Sequence, residues 1–338
     1  MYVLGKQSTE CKVCIAGGSG FVGTRLCRRF DISKTDFNIF DLVVGESFGD
    51  RTVQGDICNP SQLETLPKSD VLVNLAAVHR DDVRPLSLYD DVNVGGARAI
   101  CGAARAHGIN KIIFTSSVAI YGFAPADTGE HGEINYFNDY GRTKYLAEGV
   151  YKDWQAEDPE NRSLVIVRPT VIFGEGNRGN VYNLLKQIAT GMFVMFGDGK
   201  NRKSMAYVEN VAAFLEYSLS FGSGVHIYNY IDKPDFDMNG LVSVARHTLF
   251  GRASVGLRLP ASVGMAIGYV ADAIAVVIRK PLPVSSIRVK KFMGTTQFAS
   301  SVGKTGFIAP VTLEAGLAKT LSYEFLEDNS DKRTFDTE

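Results

Sequence analysis

A glycine-rich turn near the N-terminus constrains the fold more than any other feature of this sequence. It joins an apolar, β-branched run at 12–16 to a stretch with helical periodicity. Glycine lets the chain turn tightly, lets the backbone approach a pyrophosphate and lets the helix pack close to the strand. The free N–H groups at the helix N-terminus then favour phosphate. The predicted phosphate-binding residues are Gly17, Gly20, Phe21, Val22 and Gly23.

Short β-branched runs alternate with helical stretches through the first half of the chain, which is typical of a parallel sheet with helices on both faces. The predicted fold class is α/β, a Rossmann-type doubly wound parallel sheet with a smaller C-terminal mixed α/β substrate lobe. We predict a dinucleotide-binding domain at 1–172, to which segments around 203–230 return, a substrate lobe at 173–326 and a solvated tail at 327–338. The predicted strands are Lys12–Ala16, Asn38–Phe40, Val71–Leu75, Lys111–Ser116 and Leu164–Arg168.

An aspartate at the end of the second predicted strand indicates which dinucleotide is bound. Asp41 lies close to the offset of about 20 residues at which a carboxylate hydrogen-bonds the adenosine ribose. An NADP-binding protein would place a cation near the 2′-phosphate, whereas Leu42 follows the aspartate. The sequence therefore predicts NAD as the cofactor.

Charge and cysteine content limit the functional classes. The chain has 36 Lys and Arg against 37 Asp and Glu, so no overall field favours nucleic acid. The five cysteines show no secreted disulfide pattern and the N-terminus lacks signal-peptide features, which favours the cytoplasm.

Cys11 and Cys14 form a C-x-x-C pair, but the sequence has no second such pair and no His cluster that would complete a zinc site. We expect them to be structural and predict no metal site, with a redox or metal role as the alternative.

A tyrosine and a lysine four residues apart form the predicted catalytic pair. On a helix Tyr140 and Lys144 share one face, and a neighbouring ammonium can lower the pKa of a phenol, which is about 10 in water. Ser117 ends a predicted strand and could hydrogen-bond the oxygen whose charge changes in the reaction. The alternative is a chance surface pair.

These residues occur in an order that resembles the extended short-chain dehydrogenase/reductase family, which includes NAD-dependent epimerases and dehydratases of nucleotide sugars. Further matching motifs are Asp56-Ile57, Asn74-Leu-Ala-Ala77, Asn93 and Arg168-Pro-Thr-Val-Ile-Phe-Gly174. The resemblance implies NAD in the first half and a sugar diphosphate in the C-terminal lobe. Among the implied cofactor-binding residues, Asp56 and Ile57 would contact adenine and Pro169 would lie near nicotinamide. Asn93 would support the Lys144 side of the site. The other implied cofactor-binding residues are Leu75, Ala76, Ala77, Tyr140 and Lys144.

Several longer segments resemble one branch of this family, the 4-epimerases of N-acetylglucosamine carried on undecaprenyl diphosphate. The branch implies formation of N-acetylgalactosamine for bacterial surface polysaccharide (O-antigen) assembly through a 4-keto intermediate, with Tyr140 as the base. A soluble UDP-glucose or UDP-N-acetylglucosamine 4-epimerase, another sugar dehydrogenase and a non-catalytic NAD-sensing protein are the alternatives. The segments are His79–Val83, Asn177–Ile188, Lys203–Val208, Tyr228–Asp235 and Val284–Phe292.

Departures from the wider family bear on the substrate. Val118-Ala119 follow Ser117 where a dehydratase carries an acidic pair, so we expect no dehydration. Lys203 stands where sugar-nucleotide epimerases present Arg to the diphosphate, and Lys supplies a point charge rather than a bidentate fork. Candidate substrate residues are His79, Arg80, Ser117, Arg178, Asn180, Lys203 and Arg288, with ordinary surface charges or a solvated loop as the alternative. The gate for an N-acetyl group is placed near Thr296.

One apolar segment at 259–278 suggests contact with another surface. Its only charge is Asp272, and Arg279 and Lys280 follow it. Two glycines and the central aspartate argue against a membrane span. The alternatives are a buried or dimer-packing helix and an interfacial helix at the inner face of the cytoplasmic membrane. A homodimer is also expected from the family resemblance.

Overall fold

The computed structural model describes residues 11–80, 83–278 and 285–336. Its strands are β1 (Lys12–Ala16), β2 (Asp36–Asp41), β3 (Thr52–Gln54), β4 (Val71–Asn74), β5 (Lys111–Thr115), β6 (Ser163–Pro169), β7 (Val171–Phe173), β8 (Met195–Phe196), β9 (Arg202–Tyr207), β10 (Gly224–Tyr230), β11 (Asp232–Asp237) and β12 (Arg258–Leu259). The α-helices are α1 (Phe21–Ser33), α2 (Pro60–Leu63), α3 (Gly96–His107), α4 (Asp139–Ala156), α5 (Asn180–Ala189), α6 (Val208–Tyr217), α7 (Met238–Phe250), α8 (Ala261–Ile278), α9 (Ser286–Met293) and α10 (Leu313–Phe325).

Seven parallel strands form the main sheet in the order β10-β6-β5-β4-β1-β2-β3. The strand order reverses between β1 and β4, and in open α/β sheets ligands bind in the crevice that this reversal opens at the carboxyl ends of the strands. The five strands predicted from the sequence are all present with ends shifted by at most a few residues, and the α/β doubly wound fold is confirmed. The short strand β3 and the late strand β10 were not predicted.

Both faces of the sheet are buried, as the continuous apolar character of its strands requires. In β1, Val13 and Ile15 pack into one cluster of buried side chains, whereas Cys14 and Ala16 pack into the cluster on the opposite face. Burial raises the pKa of the Cys14 thiol to about 12. The cysteine is therefore protonated at neutral pH and fits the structural role expected for it.

The C-terminal part of the chain contributes to both regions. Helix α6 packs against α1, and β10 joins the edge of the main sheet beside β6. A separate three-stranded sheet has the order β11-β9-β7, with β9 antiparallel to β11 and parallel to β7. Together with α5, α7 and α10, these strands enclose a third apolar cluster. This mixed α/β lobe lies beyond the carboxyl end of β6, where the sequence places the substrate.

The apolar segment forms α8, but the helix is not buried within the chain. Only a narrow stripe of small residues faces the protein, where Gly264 approaches Phe196 and Gly268 approaches Ser286. Most of the remaining circumference is exposed, including Val270 at 60% and Val276 at 77%. Of the alternatives that the sequence left open, this excludes a helix buried within the chain, because the described residues that pack closely are small ones such as Gly264 and Gly268. Dimer packing and an interfacial helix both stay open. In the part of the chain that the structure describes, no helix has the length and hydropathy needed to span a membrane.

The last residues differ from the solvated tail expected at 327–338. Asp331 and Thr334 are exposed, but Phe335 is half-buried against the third apolar cluster. Its ring centroid lies 5.7 Å from that of Phe21, the first residue of α1. The prediction missed this contact because a single aromatic residue in a polar stretch carries no periodic signal.

Candidate active site

The glycine turn lies at the carboxyl end of β1, at the switch point of the sheet. Gly17 has a φ of +81°, and a Cβ there would lie 2.6 Å from the backbone nitrogen of Ala76. A Cβ on Gly23 would lie 2.5 Å from the carbonyl oxygen of Gly17. Gly20 caps α1 without any side-chain hydrogen bond to the first turn. The turn therefore leaves helix N–H groups available at a backbone surface that only glycine permits, which fits a dinucleotide phosphate.

The carboxylate predicted to bind ribose lies beside this turn. One oxygen of Asp41 accepts a hydrogen bond of 2.9 Å from the backbone N–H of Ser19, and the other accepts one of 3.1 Å from that of Val43. The hydroxyl of Ser19 is buried and has no hydrogen-bond partner among the described residues. A buried polar atom without a partner is costly. A ligand that reaches Asp41 and the glycine turn would offer that hydroxyl a partner.

The loop after β4 is held in place by two asparagines. Asn74 accepts a hydrogen bond from the backbone N–H of Ala76 at 3.0 Å and donates one to the Tyr151 hydroxyl at 2.7 Å. Asn93 accepts from the backbone N–H of Val78 at 2.9 Å and donates to the Thr143 hydroxyl at 2.9 Å. Asn93 thus joins this loop to α4 one residue before Lys144. Leu75, Ala76 and Ala77 follow directly after β4.

The remaining predicted cofactor residues differ in accessibility. The Asp56 carboxylate accepts a hydrogen bond of 2.8 Å from the backbone N–H of Cys58 and is half-buried. Ile57 is buried and packs under Gly96. Pro169 ends β6 and is also buried. These contacts hold Asp56, Ile57 and Pro169 in place. That Asp56 and Ile57 bind adenine and that Pro169 lies near nicotinamide stay predictions.

Ser117, Tyr140 and Lys144 come together at the carboxyl end of β5. Ser117 begins the 3₁₀-helix Val118–Tyr121, and its hydroxyl accepts a hydrogen bond of 3.1 Å from the backbone N–H of Ala119. Its side chain also hydrogen-bonds the Tyr140 hydroxyl. Lys144 lies one helical turn after Tyr140 on α4, with its Nζ 5.9 Å from the centroid of the tyrosine ring. The predicted catalytic residues thus form one cluster.

The lysine amine does not lower the pKa of the phenol as the sequence suggested. Burial raises the pKa of Tyr140 to about 12, and the hydrogen bond from Ser117 only partly opposes this shift. Burial also lowers the pKa of Lys144 to about 7, although the nearby charge of Glu148 raises it. The Lys144 Nζ donates a hydrogen bond of 2.8 Å to the carbonyl oxygen of Thr115 rather than to the phenol. Within the protein alone, both groups therefore favour their neutral forms.

A buried ion pair behind Lys144 was missed by the sequence analysis. Arg168 donates hydrogen bonds of 2.8 and 2.6 Å to the two carboxylate oxygens of Glu148, and both side chains are almost fully buried. Ser116 donates a further hydrogen bond of 2.7 Å to the same carboxylate. Glu148 follows Lys144 by four residues, a spacing that could have placed it on the same face of α4. Its partner on β6 could not be found from spacing.

The candidate substrate residues separate into two groups. His79 lies near the catalytic cluster, where desolvation and then the charges of Lys144 and Arg80 lower its pKa. Arg178, in contrast, forms an ion pair of 2.7 Å with Glu324 on α10, so its charge is already compensated. Asn180 is exposed at the start of α5.

The remaining candidates for substrate binding, Lys203 and Arg288, and the expected gate residue Thr296 belong to the substrate lobe. Lys203 on β9 donates a hydrogen bond of 2.6 Å to the carbonyl oxygen of Gly294, and burial lowers its pKa to about 8. Thr296 lies in register with Lys203 across a parallel bridge. Arg288 is part of α9, but its side chain lies outside the described residues.

Comparison with known proteins agrees with this geometry. The model of the NAD dependent epimerase/dehydratase family matches residues 13–230. The chain belongs to this family. It is 47% identical over 331 residues to the N-acetyl-alpha-D-glucosaminyl-diphospho-ditrans,octacis-undecaprenol 4-epimerase of Escherichia coli O157:H7, covering 96% of this chain and 99% of that protein. It is 28% identical over 225 residues to the UDP-glucose 4-epimerase of Vibrio cholerae, covering 61% and 66% of the two chains.

Two solved structures share the fold of this chain. The UDP-glucose 4-epimerase of Thermotoga maritima, solved with UDP-glucose, superposes with a TM-score of 0.72 at 19% identity and covers 94% of this chain and 100% of its own. MoeE5 in complex with UDP-glucose and NAD superposes with a TM-score of 0.71 at 20% identity, covering 92% and 98%. The predicted family, the class of NAD-dependent sugar epimerases and NAD as cofactor are confirmed.

Replacing Lys144 with methionine is expected to stabilise the fold at neutral pH while it abolishes activity. The pKa of this lysine falls from its ordinary 10.5 to about 7 on folding, so the unfolded chain binds more protons between those pH values. Wild-type stability therefore rises with pH through this window. After subtraction of the lost hydrogen bond to Thr115, the variant should gain on the order of 2 kcal/mol at pH 7.

Urea unfolding of both proteins at several pH values between 6 and 10 tests this prediction. The advantage of the methionine variant should be largest at and below pH 7 and should become small towards pH 10, where the wild-type amine is neutral in the folded state and begins to lose its proton in the unfolded chain. The other titrating groups are common to both proteins and cancel in the difference. A stability difference that does not change with pH would contradict the low pKa.

Proposed function

We propose that the protein interconverts N-acetylglucosamine and N-acetylgalactosamine on undecaprenyl diphosphate, in the assembly of bacterial surface polysaccharide (O-antigen). The observation that carries this substrate is the 47% identity to an epimerase of that name over nearly the whole of both chains. Because the match includes the C-terminal lobe, it extends beyond the residues that hold the cofactor. The catalytic cluster supports reversible oxidation at C4 of the sugar.

Tyr140 carries the proton in this reaction. As a phenolate it accepts the proton of the sugar 4-hydroxyl, and as a phenol it returns that proton after the 4-keto sugar has turned over. Bound NAD supplies a reversible hydride acceptor and a positive charge that favours the phenolate. Ser117 hydrogen-bonds the Tyr140 hydroxyl, so the serine is placed to stabilise the oxygen whose charge changes.

Lys144 contributes a group that can change its charge at neutral pH. With a pKa of about 7, the amine takes up a proton at little cost when a negative charge develops on Tyr140. Its hydrogen bond to Thr115 and the ring of Phe114, whose centroid is 4.8 Å from Nζ, hold the amine in place. The lysine therefore stabilises the phenolate of Tyr140 by becoming protonated as the phenolate forms. It does not lower the pKa of the phenol beforehand.

The surroundings of Ser117 support epimerisation rather than dehydration. Val118 and Ala119 follow it in the 3₁₀-helix, and neither can act as an acid or a base. Removal of water from the sugar requires such a pair. The 4-keto sugar is then expected to be reduced again.

Lys203 is the residue best placed to meet the diphosphate. It lies half-buried on β9, the central strand of the three-stranded sheet, and an anion nearby would favour its charged form over the neutral form that burial favours. The ion pair between Arg178 and Glu324 makes that arginine a weaker candidate. Thr296 lies beside Lys203, which supports the proposal that it lies near the N-acetyl group.

The test is to offer the purified enzyme undecaprenyl-diphospho-N-acetylglucosamine and UDP-N-acetylglucosamine in parallel and to identify the product sugars. We expect the galacto product from the lipid-linked substrate and about a hundredfold less, or none, from the UDP-linked one. Tyr140→Phe serves as the control for contaminating activity. Preferential turnover of UDP-N-acetylglucosamine would favour a UDP-sugar 4-epimerase instead, a function that agrees with the structures solved with UDP-glucose.

The exposed face of α8 supports docking at a membrane surface. An undecaprenyl chain stays in the bilayer, so the enzyme must bring its site to the headgroups. Val270 and Ile274 lie one turn apart on the exposed face. Lys290 is exposed on the adjacent α9, and a cation beside an apolar face favours anionic lipid. Peripheral contact through 259–278 is therefore part of the proposal, with the enzyme at the inner face of the cytoplasmic membrane.

Vesicle flotation is expected to show this docking. The double variant Val270→Glu with Ile274→Glu should float with vesicles containing phosphatidylglycerol about tenfold less than the wild type, because two apolar side chains are lost from the contact. Ile32→Glu is the matched control, since Ile32 is 81% exposed on α1. Wild-type protein that never floats, combined with a lower oligomeric mass of the double variant, would mean that a second copy covers α8. The homodimer predicted from the sequence stays a prediction until that mass is measured.

A further inference from the structure

The segment Arg333–Asp336, which we call the C-terminal strap, binds to the loop after β7. The backbone N–H of Phe335 donates a hydrogen bond of 2.8 Å to the carbonyl oxygen of Gly176, and the N–H of Arg178 donates one of 2.8 Å to the carbonyl oxygen of Phe335. Asn177 lies in register with Phe335 as in a parallel sheet. The strap thus adds a short extended segment to the edge of this loop, although it follows the last helix of the chain.

The strap also reaches the glycine turn. The ring of Phe335 lies 5.7 Å from the ring of Phe21, at an angle of 48°. Phe21 is the first residue of α1 and is itself buried. Such aromatic pairs contribute beyond the area they bury. Phe335 is therefore an anchor that fixes the strap beside the helix N-terminus that faces the phosphates.

This anchor places a cation close to the ribose side of the dinucleotide site. The guanidinium carbon of Arg333 lies 5.0 Å from the centroid of the Phe335 ring. A Cβ placed on Gly45 would lie 3.6 Å from the Nη1 of Arg333 and 3.2 Å from the hydroxyl of Ser19. Ser19 is the buried hydroxyl without a partner among the described residues, and its backbone N–H binds Asp41. The arginine, the unpartnered hydroxyl and the ribose carboxylate therefore converge on one side of the glycine turn.

Other charges near the turn are already engaged. Arg25 on α1 donates a hydrogen bond of 2.8 Å to the carbonyl oxygen of Glu175 and lies 3.1 Å from the carboxylate of Glu209. A dinucleotide brings two negative phosphate charges to this turn, and the partial charge of a helix N-terminus compensates only part of them. An arginine at the rim adds a planar, permanently charged donor that suits phosphate and ribose oxygens.

We propose that the C-terminal strap is part of the NAD site, with Phe335 as its anchor and Arg333 as the side chain that contacts the adenosine diphosphate part of the cofactor. With the cofactor bound, the strap lies over the glycine turn and slows the release of NAD. An epimerase regenerates NAD in every catalytic cycle, so slow release carries no cost for turnover. This inference rests on the binding of NAD and not on which sugar is the substrate.

The test measures affinity without any sugar. Arg333→Gln and Phe335→Ala, freed of bound cofactor, are titrated with NAD and with ADP-ribose by calorimetry. We expect the dissociation constants for both ligands to rise about tenfold or more in each variant, since a charge-assisted contact or its anchor is lost. Lys332→Gln is the matched control, because it removes the same charge from an exposed neighbour, and it should change either constant less than about twofold. The amount of NAD that copurifies with the protein should be lower for Arg333→Gln and Phe335→Ala than for the wild type, and nearly unchanged for Lys332→Gln.

Three outcomes would overturn the proposal. Arg333→Gln could bind NAD and ADP-ribose as the wild type does. A parallel titration with NADP could show a loss of affinity for that ligand alone, which would make the arginine a 2′-phosphate contact. Phe335→Ala could lose NAD only because the cofactor-free protein no longer folds, which circular dichroism would show, while Arg333→Gln binds normally. Because no sugar is present, none of these outcomes depends on the proposed epimerisation.

Discussion

Replacing Tyr140 with phenylalanine is expected to lower the epimerisation rate by about a thousandfold or more. The variant keeps the ring but loses the hydroxyl that takes and returns the proton of the sugar 4-hydroxyl, and a positioned acid or base contributes typically 10²–10⁴-fold. Ser117 loses its hydrogen bond to Tyr140 at the same time but keeps the one that it accepts from the backbone N–H of Ala119. Turnover is measured by the conversion of the lipid-linked sugar at saturating substrate, so that a change in binding does not obscure the loss.

The ring of Tyr140 is half-buried beside Lys144, so the phenylalanine variant should fold normally and retain NAD. Tyr145→Phe is the matched control, since it removes the hydroxyl of an exposed tyrosine on the same helix and should retain full activity. If Tyr140→Phe turned over at the wild-type rate, another group would have to be the base. The assignment of the whole cluster would then fail.

The second large effect is expected from Arg168→Met, which should lower the free energy of unfolding by about 3–5 kcal/mol. Removing one partner of a buried ion pair leaves the other charge poorly compensated, and that costs far more than the pair itself contributes. Glu148 would keep only the half-exposed amine of Lys152, at 3.5 Å, as an ion-pair partner. Glu148 would lose two hydrogen bonds in a fully buried position. The hydroxyl of Tyr121 would also lose the hydrogen bond that it accepts from Arg168 at 2.6 Å. Urea unfolding at pH 7 measures the loss.

A surface pair provides the comparison. Arg105 contacts Glu157 with two hydrogen bonds in the same fork geometry, but both side chains are solvent-exposed, so Arg105→Met should destabilise the protein far less. The double variant Arg168→Met with Glu148→Met should be more stable than Arg168→Met, because no buried charge is left over. Equal losses for Arg168→Met and Arg105→Met would show that burial does not govern this pair.

The buried pair also explains how Lys144 can keep a pKa near 7. A lone carboxylate four residues from an amine on the same helix face would raise the pKa of that amine. The guanidinium of Arg168 compensates the charge of Glu148 and leaves desolvation as the largest effect on Lys144. The pair is therefore a positioning element of the catalytic cluster, although neither residue reaches the substrate.

Local spacing was enough to predict most of the residues that the structure brings together at the glycine turn and at the carboxyl end of β5. The glycine turn, Asp41 and the pair Tyr140 and Lys144 each depend on a strand end or on one helical turn, and such features repeat in the sequence at fixed intervals. The chain also determined the α/β class, because β-branched runs and helical stretches alternate over the first half. These features need no knowledge of what packs against them.

Only the tertiary structure decided the features that depend on burial and on contacts between distant parts of the chain. It paired Arg168 with Glu148, brought Phe335 to Phe21 from the opposite end of the chain, and left α8 exposed where the sequence allowed a buried helix. It also showed that burial raises the pKa of Tyr140 in the protein without its cofactor, since the cost of removing a charge from water depends on every atom that surrounds the phenol. Neither long-range pairing nor desolvation produces a repeating pattern in the sequence, because both depend on which residues the complete fold brings together.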